Sequence, residues 1–380
     1  MAGVSRQAVS AVESGLSDPS LRVALALAGA LGVSVEDMFG PAAPGPAVTA
    51  RPLAPLGEAG CRVALAPMGD GFVALPLTGP AVIRAGFGPA GGLAADDPAA
   101  DGPDGPAGQD RADGGLAAAG PGSPSGRGMA AASRSVRPIG PPRPALVVAG
   151  CDPALPLLEI PLSLLDPPVG FAWWPCSSSA ALALAADGLV HAAGAHLRGR
   201  AGEYNTGPAA QLLRRGAEVI GFSSWREGLV LRPELAGRIS SVADAARARL
   251  RLVNREPGAE ARRLLDRELA AAGISPGQLP GYGTAAAGHL QVAAAIAAGL
   301  ADAGVASEPA ALAYGLAFVP LASERFDLVI PAAQAESREV QALRKVLMSP
   351  WLLGQLASLP GYDPSRCGTS VATLRPAAAG

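Results

Sequence analysis

The sequence predicts a mixed α/β protein whose largest part is a sheet with helices packed on it. Between residues 145 and 205, short apolar runs alternate with stretches rich in Ala and Leu, which is typical of βαβ units. The alternation continues to about residue 375. Residues 88–144, by contrast, consist mainly of Gly, Ala, Pro, Asp and Ser, so we expect a disordered linker there.

Composition limits the classes of function. The 380 residues are enough for two or three domains, and the net charge of −2 gives no overall basic field that would attract nucleic acid. Any contact with DNA must therefore be local. The four cysteines lack Cys-x-x-Cys spacing, which argues against a disulfide set or a zinc site. Without a signal sequence or an apolar span, we expect a soluble, cytoplasmic protein with no membrane partner.

The first forty residues have a helical pattern. Residues 5–13 suit a short helix with Ser5 near its N-cap, and residues 20–31 suit a second helix that ends at Gly32. We expect Leu21, Leu25 and Leu31 on one side of this second helix, together with Ala28. The outer face of the first helix carries four polar residues. These are Ser5, Arg6, Gln7 and Ser10.

The run GVSRQAVSAVESGLSDPSL and the following ALALAGALGVSVEDMFG resemble the second half of the Cro/repressor-like helix-turn-helix domain of xenobiotic-response-element-type regulators. The resemblance implies that residues 1–40 form a partial, all-α DNA-binding domain and that Ser5, Arg6, Gln7 and Ser10 contact an operator. The family's first helix and most of its second would precede Gly3. We therefore expect either a start codon placed too late or a helical cap with no role in DNA binding.

The next segments predict a small β module between two linkers. Residues 41–60 are rich in Pro and Ala and suggest a linker. Residues 61–87 contain two apolar runs around Gly69, Asp70 and Gly71, which predicts a β-hairpin.

The serines at 177–179 follow an apolar run and precede an Ala/Leu-rich helical pattern. Backbone N–H groups at a helix N-terminus, together with hydroxyl groups, suit a dehydrated anion. Simple helix capping is the alternative explanation for such a serine run.

Residues 145–375 resemble the periplasmic-binding-protein-like (type II) domain related to molybdate-binding proteins. The phrases that carry this likeness are LVVAGCDPAL, PCSSSAALALAADG, LVNREPGAEARRLLDREL and ERFDLVIP. The resemblance implies two α/β lobes that close on a small oxyanion, with molybdate or tungstate as the possible effector and no other cofactor.

Matching positions imply a ligand site at the carboxyl ends of several strands. Its residues are Asp152, Ser177, Ser178, Ser179, Tyr204, Asn205, Arg255 and Arg262. A loop that usually reads Gly-Ser-Gly-Thr is here Gly258-Ala259-Glu260-Ala261, which removes two hydroxyls and adds a carboxylate. The alternative for Arg255 and Arg262 is simple pairing with Glu256 and Glu260.

His191 and His196 alternate with apolar residues in a predicted strand. Since no third ligand has suitable spacing, we expect packed or hydrogen-bonded histidines and no metal site.

These features favour a ligand-responsive transcriptional regulator that binds operator DNA and a small oxyanion. A homodimer is the candidate assembly, because such regulators usually read paired half-sites. The alternative is an intracellular oxyanion-binding protein that does not bind DNA. Since no nucleophile–base pair, paired acid carboxylates or phosphate loop is evident, we expect no enzymatic activity and no catalytic residues.

Overall fold

A computed structural model describes residues 4–5, 9, 12, 19–35, 38, 46–77, 90–95, 132–199 and 202–376 of the chain. Helix α1 spans Leu21–Leu31. It begins after Ser20, whose Oγ accepts a hydrogen bond from the Val23 N–H, and ends at Gly32 with φ of 69°. This confirms the predicted bounds of the second helix. Most of the predicted first helix, including Arg6, Gln7 and Ser10, lies outside the described residues.

The small residues Ala24 and Ala28 of α1 are buried, whereas Leu21, Leu25 and Leu31 are exposed.

The β module is a closed barrel of five short strands. They are β1 (Val48–Pro52), β2 (Arg62–Met68), β3 (Gly71–Pro76), β4 (Gly92–Ala94) and β5 (Arg134–Pro138). The order around the barrel is β1-β3-β2-β4-β5, and antiparallel pairing of β1 with β5 closes it. The predicted hairpin is present as β2 and β3, with Met68 opposite Gly71.

Three barrel strands lie where linkers were predicted. β1 falls within residues 41–60, and β4 and β5 fall within residues 88–144. Both predicted linkers are therefore too long. The physical reason is that β1, β4 and β5 pair with strands distant in the chain, so their local composition does not reveal them. The low-complexity centre of the second predicted linker, residues 96–131, lies outside the described residues.

The rest of the chain forms a nine-stranded mixed sheet with helices packed against it. Its strands are β6 (Ala145–Ala149), β7 (Gly170–Trp174), β8 (Ala192–Ala195), β9 (Ala217–Leu231), β10 (Leu252–Arg255), β11 (Ala285–Ala286), β12 (Ala303–Ser307), β13 (Ala317–Pro331) and β14 (Ser370–Leu374). The order is β11-β10-β12-β9-β13-β8-β6-β7, and β14 pairs with β9. Pairing of β6 with β7 and β8 is parallel, as predicted, but β9 and β13 run antiparallel to their neighbours.

The helices of this part agree with the predicted pattern in most places. They are α2 (Glu159–Ser163), α3 (Ser178–Ala186), α4 (Thr206–Leu212), α5 (Val242–Arg247), α6 (Glu260–Ala271), α7 (His289–Ala297), α8 (Glu308–Ala313), α9 (Arg338–Leu347) and α10 (Pro350–Ser358). The sequence pattern predicts a helix over residues 260–272, and α6 begins at the same residue and ends one residue earlier. A left-handed Gly273 with φ of 67° follows it.

Strands β9 and β13 divide the sheet into two lobes. Lobe 1 contains β6, β7, β8 and β14 with one half of each long strand, and lobe 2 contains β10, β11 and β12 with the other halves. The sequence pattern of each long strand predicts two short strands, at residues 218–222 and 228–231 and at residues 317–321 and 326–331, because polar residues interrupt the apolar runs. The structure joins them, since 15 residues of β9 and β13 pair along most of their length.

The barrel packs against lobe 1. Leu53, Met68 and Val73 of the barrel share an apolar cluster with Val147 and Leu189. The guanidinium group of Arg51 donates hydrogen bonds to two carbonyl oxygens just after α3, at 3.2 and 2.8 Å. Within the described residues, none of the helices combines the length and apolar character that a membrane span requires.

Candidate ligand site between the lobes

Many polar side chains are buried where the two lobes meet. Among them are Asp152, Ser177, Ser178, His196, Asn205, Ser223, Glu227, Asn254, Arg255, Glu260, His289, Ser307, Glu324 and Asp327. Several follow the carboxyl end of a strand, as predicted, and others lie in the middle of β9 and β13. A buried polar group is costly unless it has a partner, so each of these side chains requires an explanation.

The three serines lie at the N-terminus of α3, but the protein itself already uses their hydroxyl groups. The Ser177 Oγ caps the helix by accepting from the Ala180 N–H at 3.3 Å. The Ser178 Oγ accepts from the backbone N–H of His196 at 3.2 Å. The Ser179 hydroxyl donates to the carbonyl oxygen of Gly258, in lobe 2, at 3.0 Å. In this closed arrangement, ligand contact by the serines remains a prediction that requires the lobes to open.

Asp152 has a complete set of partners within lobe 1. Its Oδ1 accepts from the Ala154 N–H at 2.8 Å and from the Tyr362 hydroxyl at 2.7 Å, and its Oδ2 accepts from the Ser223 hydroxyl at 2.9 Å. Burial raises the pKa of Asp152, although these hydrogen bonds oppose the rise. The described contacts therefore give Asp152 a structural role, in which it connects the loop after β6 to β9.

Tyr204 and Asn205 connect a loop of lobe 1 to β13. The Tyr204 hydroxyl donates to the carbonyl oxygen of Ser323. Asn205 has an unusual φ of 62° and is fully buried. Its Oδ1 accepts from the Leu197 N–H at 2.7 Å, and its Nδ2 donates to Asp327 at 2.7 Å. Both residues lie at the predicted place, but their polar atoms are occupied by protein.

The alternative offered for the two arginines of lobe 2 holds for Arg255 only. Arg255 is fully buried and forms two hydrogen bonds with Glu256, at 2.8 and 2.9 Å. Within the described chain, its Nη1 has no hydrogen-bond partner. Arg262 instead donates to the Arg255 carbonyl oxygen at 3.0 Å, and its guanidinium group lies over the Tyr282 ring at 4.7 Å.

Glu260 occupies the first turn of α6 and is fully buried. Arg267, about two turns further along the same face of the helix, donates a hydrogen bond to the Glu260 Oε1 at 2.8 Å. Arg263 is 3.8 Å from the Glu260 Oε2. The negative charge that was expected to repel an anion is therefore partly compensated by two arginines.

Sequence reasoning missed a second group of residues, which lies where the paired strands β9 and β13 pass from one lobe to the other. His196 follows β8, Glu227 lies in β9 and Glu324 lies in β13, and their potential ligand atoms lie within 4.8 Å of one another. The His196 Nδ1 is 3.6 Å from Glu324 Oε2, which is too long for a hydrogen bond. Over the described ranges, neither nitrogen of His196 and neither carboxylate oxygen of the two glutamates has a hydrogen-bond partner.

Burial and like charge perturb the titration of this group. The pKa of Glu227 is raised to about 7, mainly by burial; the nearby Glu324 adds to this rise and His196 opposes it. Burial alone would lower the pKa of His196, but Cys151, Glu324 and Glu227 raise it well above its ordinary value. The two carboxylates thus lie at a distance where they repel each other unless a positive charge lies between them.

Two more residues lie beside this group. Cys151, His196 and His289 also place one ligand atom each within 4.8 Å of one another. The His289 Nδ1 accepts a hydrogen bond from the Ser307 N–H at 3.2 Å, so the proton of the neutral ring is on Nε2. His289 therefore presents an N–H donor to its surroundings.

His191 behaves as predicted for a histidine of the core. Its Nδ1 accepts from the Val147 N–H at 3.0 Å. The prediction that His196 is merely packed or hydrogen-bonded is less complete, since two carboxylates and a cysteine face it. The signal that could have revealed this group is the charged residue in the middle of each long apolar pattern, at positions 227 and 324.

Comparisons with known proteins define the class of each part. Residues 162–348 match the profile of the PBP superfamily domain, and residues 1–38 match that of a helix-turn-helix. The chain is thus similar to a helix-turn-helix at its N-terminus and to the PBP superfamily domain over much of its two-lobed α/β part.

Among curated proteins, the chain is similar to the uncharacterized protein YvgK of Bacillus subtilis (strain 168), to which it is 27% identical over 143 residues. The match covers 38% of this chain, and the chain spans about half the length of that relative, 46%.

Two solved structures are also similar. The first is a protein from Clostridium perfringens described as a phosphate ABC transporter substrate-binding protein, with bound phosphate. It is 12% identical, with a TM-score of 0.43, and the match covers 58% of this chain and 99% of that one. The second is the effector-binding domain of QuiR in complex with shikimate. It is 11% identical, with a TM-score of 0.40, and the match covers 54% and 95% of the two chains.

Proposed function

We propose that this protein is a ligand-responsive transcriptional regulator of the cytoplasm, in which a small molecule held between the two lobes controls DNA binding. The strongest support is a group of buried polar side chains that lack some hydrogen-bond partners within the described residues. They lie where β9 and β13 pass from one lobe to the other. The same chain matches a helix-turn-helix at residues 1–38, so a ligand bound between the lobes could change the affinity for DNA. The proposal is a binding function without catalysis.

The contacts between the lobes suggest how a ligand could act. Ser179 of lobe 1 bonds Gly258 of lobe 2, and Arg263 of lobe 2 donates to the Ser179 Oγ at 3.4 Å. A ligand that enters must break these contacts and supply others, so it binds the open and closed arrangements with different affinity. That difference is what allows a ligand to shift a conformational equilibrium and so to change DNA binding.

The effector that we propose is a small oxyanion of the molybdate or tungstate type. Three kinds of donor support it: the N-terminus of α3, the Nη1 of Arg255, and the Nε2–H of His289. Glu227 and Glu324 carry the opposite charge, so an oxyanion requires that these carboxylates be protonated or paired with a cation.

Thermal unfolding tests the effector. Molybdate and tungstate, compared with phosphate and sulfate at equal ionic strength, should raise the melting temperature. At 100 times the dissociation constant, the added stability is about 2.7 kcal/mol. Ser178→Asp should remove the shift, while Ser163→Asp, at an exposed serine of α2, should retain it. If none of the four anions changes the melting temperature, the oxyanion proposal is wrong.

DNA binding is tested separately. An operator selected from random DNA should bind with an affinity that falls as salt rises, and Arg6→Ala and Gln7→Ala should weaken binding. Addition of the effector should change operator affinity by about 5- to 150-fold if the two sites are coupled. An oxyanion that binds without any measurable operator would favour the alternative function, an oxyanion-binding protein that does not bind DNA. Sedimentation with and without operator measures whether a homodimer forms.

A further inference from the structure

We propose that His196, Glu227 and Glu324 form a binding site for one divalent transition-metal ion, at the place where the two lobes share their long strands. This site is distinct from the serine loop and goes beyond the proposed function, because it assigns a cation where an anion was expected. The family resemblance implies no such ion, and the proposal rests on the side chains themselves.

The geometry of the three residues suits a metal ion. Their donor atoms lie within 4.8 Å of one another, and His196 Nδ1 is 3.6 Å from Glu324 Oε2. Ligands about 2.0–2.2 Å from a tetrahedral Zn²⁺ lie roughly 3.3 Å from each other. The separation of His196 and Glu324 is therefore close to that of two ligands on one ion.

The burial of these groups demands a partner of this kind. His196, Glu227 and Glu324 are 0%, 0% and 2% exposed. Throughout the part of the chain that the structure describes, their two nitrogens and four oxygens accept or donate no hydrogen bond. Leaving six buried polar atoms without partners costs several kcal/mol, so proteins rarely do so without a ligand or ordered water.

Neighbouring arginines supply only part of the missing positive charge. The charge of Arg255 lowers the pKa of Glu227, but its Nε and Nη2 already bond to the two oxygens of Glu256. Arg226, next to Glu227 in the chain, pairs with Glu308. Histidine ligates a metal as the neutral imidazole, so an ion that binds here displaces the His196 proton. Two carboxylates and a neutral imidazole have a formal charge of −2, which a divalent cation balances. The strands contribute to this arrangement, since Glu227 pairs with Ala322 and Glu324 pairs with Trp225 in the β9–β13 register.

The donor set indicates which ions to expect. Imidazole favours Zn²⁺, Fe²⁺, Co²⁺, Ni²⁺ and Cu²⁺, whereas Ca²⁺ and Mg²⁺ prefer six or more oxygens. The nearby thiol of Cys151 also favours the softer ions. His289 is a poorer ligand, because its Nδ1 already accepts from Ser307 and its Nε2 carries the proton. A fourth position remains for water or for an effector atom.

A metal at this place would also remove the electrostatic obstacle to an anionic effector. The carboxylates of Glu227 and Glu324 repel an oxyanion, but their charge is cancelled when they ligate a divalent cation. Zinc binding is measured without DNA or oxyanion, so it can be tested whether or not the regulator proposal holds.

The first experiment measures zinc binding by the full chain, free of affinity tag and stripped with a chelator. Titration calorimetry and elemental analysis after desalting should give about one Zn²⁺ per chain. His196→Asn, Glu227→Gln and Glu324→Gln should each weaken binding by at least about 100-fold, since even indirect supporting residues are worth 10- to 100-fold. The matched control is His191→Asn, a buried histidine outside the cluster, which should bind zinc as the wild type does. Equal binding by all four variants, or no retained zinc, would overturn the proposal.

A second measurement covers variants that fail to fold. Co²⁺ added to the stripped wild-type chain should produce visible d–d absorption that one equivalent of Zn²⁺ abolishes. A colourless Co²⁺ mixture would contradict the site without any substitution. A charge-transfer band that disappears in Cys151→Ser would add the thiol to the ligand set.

The last comparison separates this proposal from the oxyanion effector. Melting temperatures are measured with and without molybdate, on zinc-loaded and on chelated protein. A molybdate shift in chelated protein that binds no zinc would refute the metal site and keep the effector. Zinc binding with no molybdate-induced change in melting temperature in either form would support the metal site and refute the oxyanion effector.

Discussion

Replacement of Asp152 tests whether this residue supports the fold or only meets a ligand. Asp152→Ala removes the acceptor of three buried donors: the Ala154 N–H and the hydroxyls of Ser223 and Tyr362. Each buried donor left without a partner costs about 1–3 kcal/mol. The two hydroxyls can rotate towards other acceptors but the backbone N–H cannot, so we expect a loss of about 3–5 kcal/mol in the free energy of unfolding. Asp152→Asn keeps one oxygen acceptor and should cost about 1–2 kcal/mol.

Urea unfolding followed by the fluorescence of the buried Trp225 measures both losses in the absence of any ligand. The control is Asp187→Asn, at an exposed carboxylate after α3, which should change stability by no more than about 0.5 kcal/mol. A loss below about 1 kcal/mol for Asp152→Ala, combined with a loss of effector binding, would refute the structural role and restore Asp152 as a ligand-binding residue.

Three further predictions concern the packing and charge of lobe 1. Burial lowers the pKa of His191 from 6.5 to about 4, so between these pH values the unfolded chain binds a proton that the folded chain excludes. The free energy of unfolding should therefore fall by up to about 3 kcal/mol as the pH falls through this window. His191→Asn should make the free energy of unfolding depend less on pH, and equal pH profiles for variant and wild type would contradict the shift. Gly194→Ala places a Cβ against the edge of the Phe326 ring, in steric conflict with Cζ and Cε1, and should destabilise by about 1–3 kcal/mol. Phe326→Leu in the same chain should recover part of this loss in calorimetry. Arg51→Ala removes the two hydrogen bonds from the barrel to lobe 1 and should accelerate limited proteolysis near the junction, while an unchanged cleavage rate would show that apolar packing alone holds the barrel.

The α/β class and most helices of residues 145–375 could be predicted because their signals are local. Helix α6 has a clear apolar periodicity and a glycine stop, so its prediction needed no tertiary information. The same holds for Ser20 and Gly32 at the two ends of α1. The continuity of β9 and of β13 could not be predicted, because polar residues interrupt the apolar pattern of each strand and only the pairing between the two strands carries them through.

Ligand contact by the residues that the resemblance implies stays a prediction. In the structure, the side-chain oxygens of Ser177 and Asn205 accept hydrogen bonds from the protein's own backbone N–H groups. The group around His196 draws its carboxylates from positions 31 and 128 residues further along the chain. No spacing rule applies to ligands so far apart, and only the pairing of β9 with β13 brings them together.

The continuity of β9 and β13 limits how the two lobes can be exchanged or separated. Each lobe is assembled from two excursions of the chain, so a chimaera that transplants one lobe must splice both long strands at matched positions. The irregular pairing between Pro320 and Ala322 and between Phe326 and Asp327 marks where the ribbon already tolerates a change of register. Splice points placed there should disturb the β9–β13 pairing least. A single backbone cut in β9 or in β13 should leave the two lobes connected through the uncut strand.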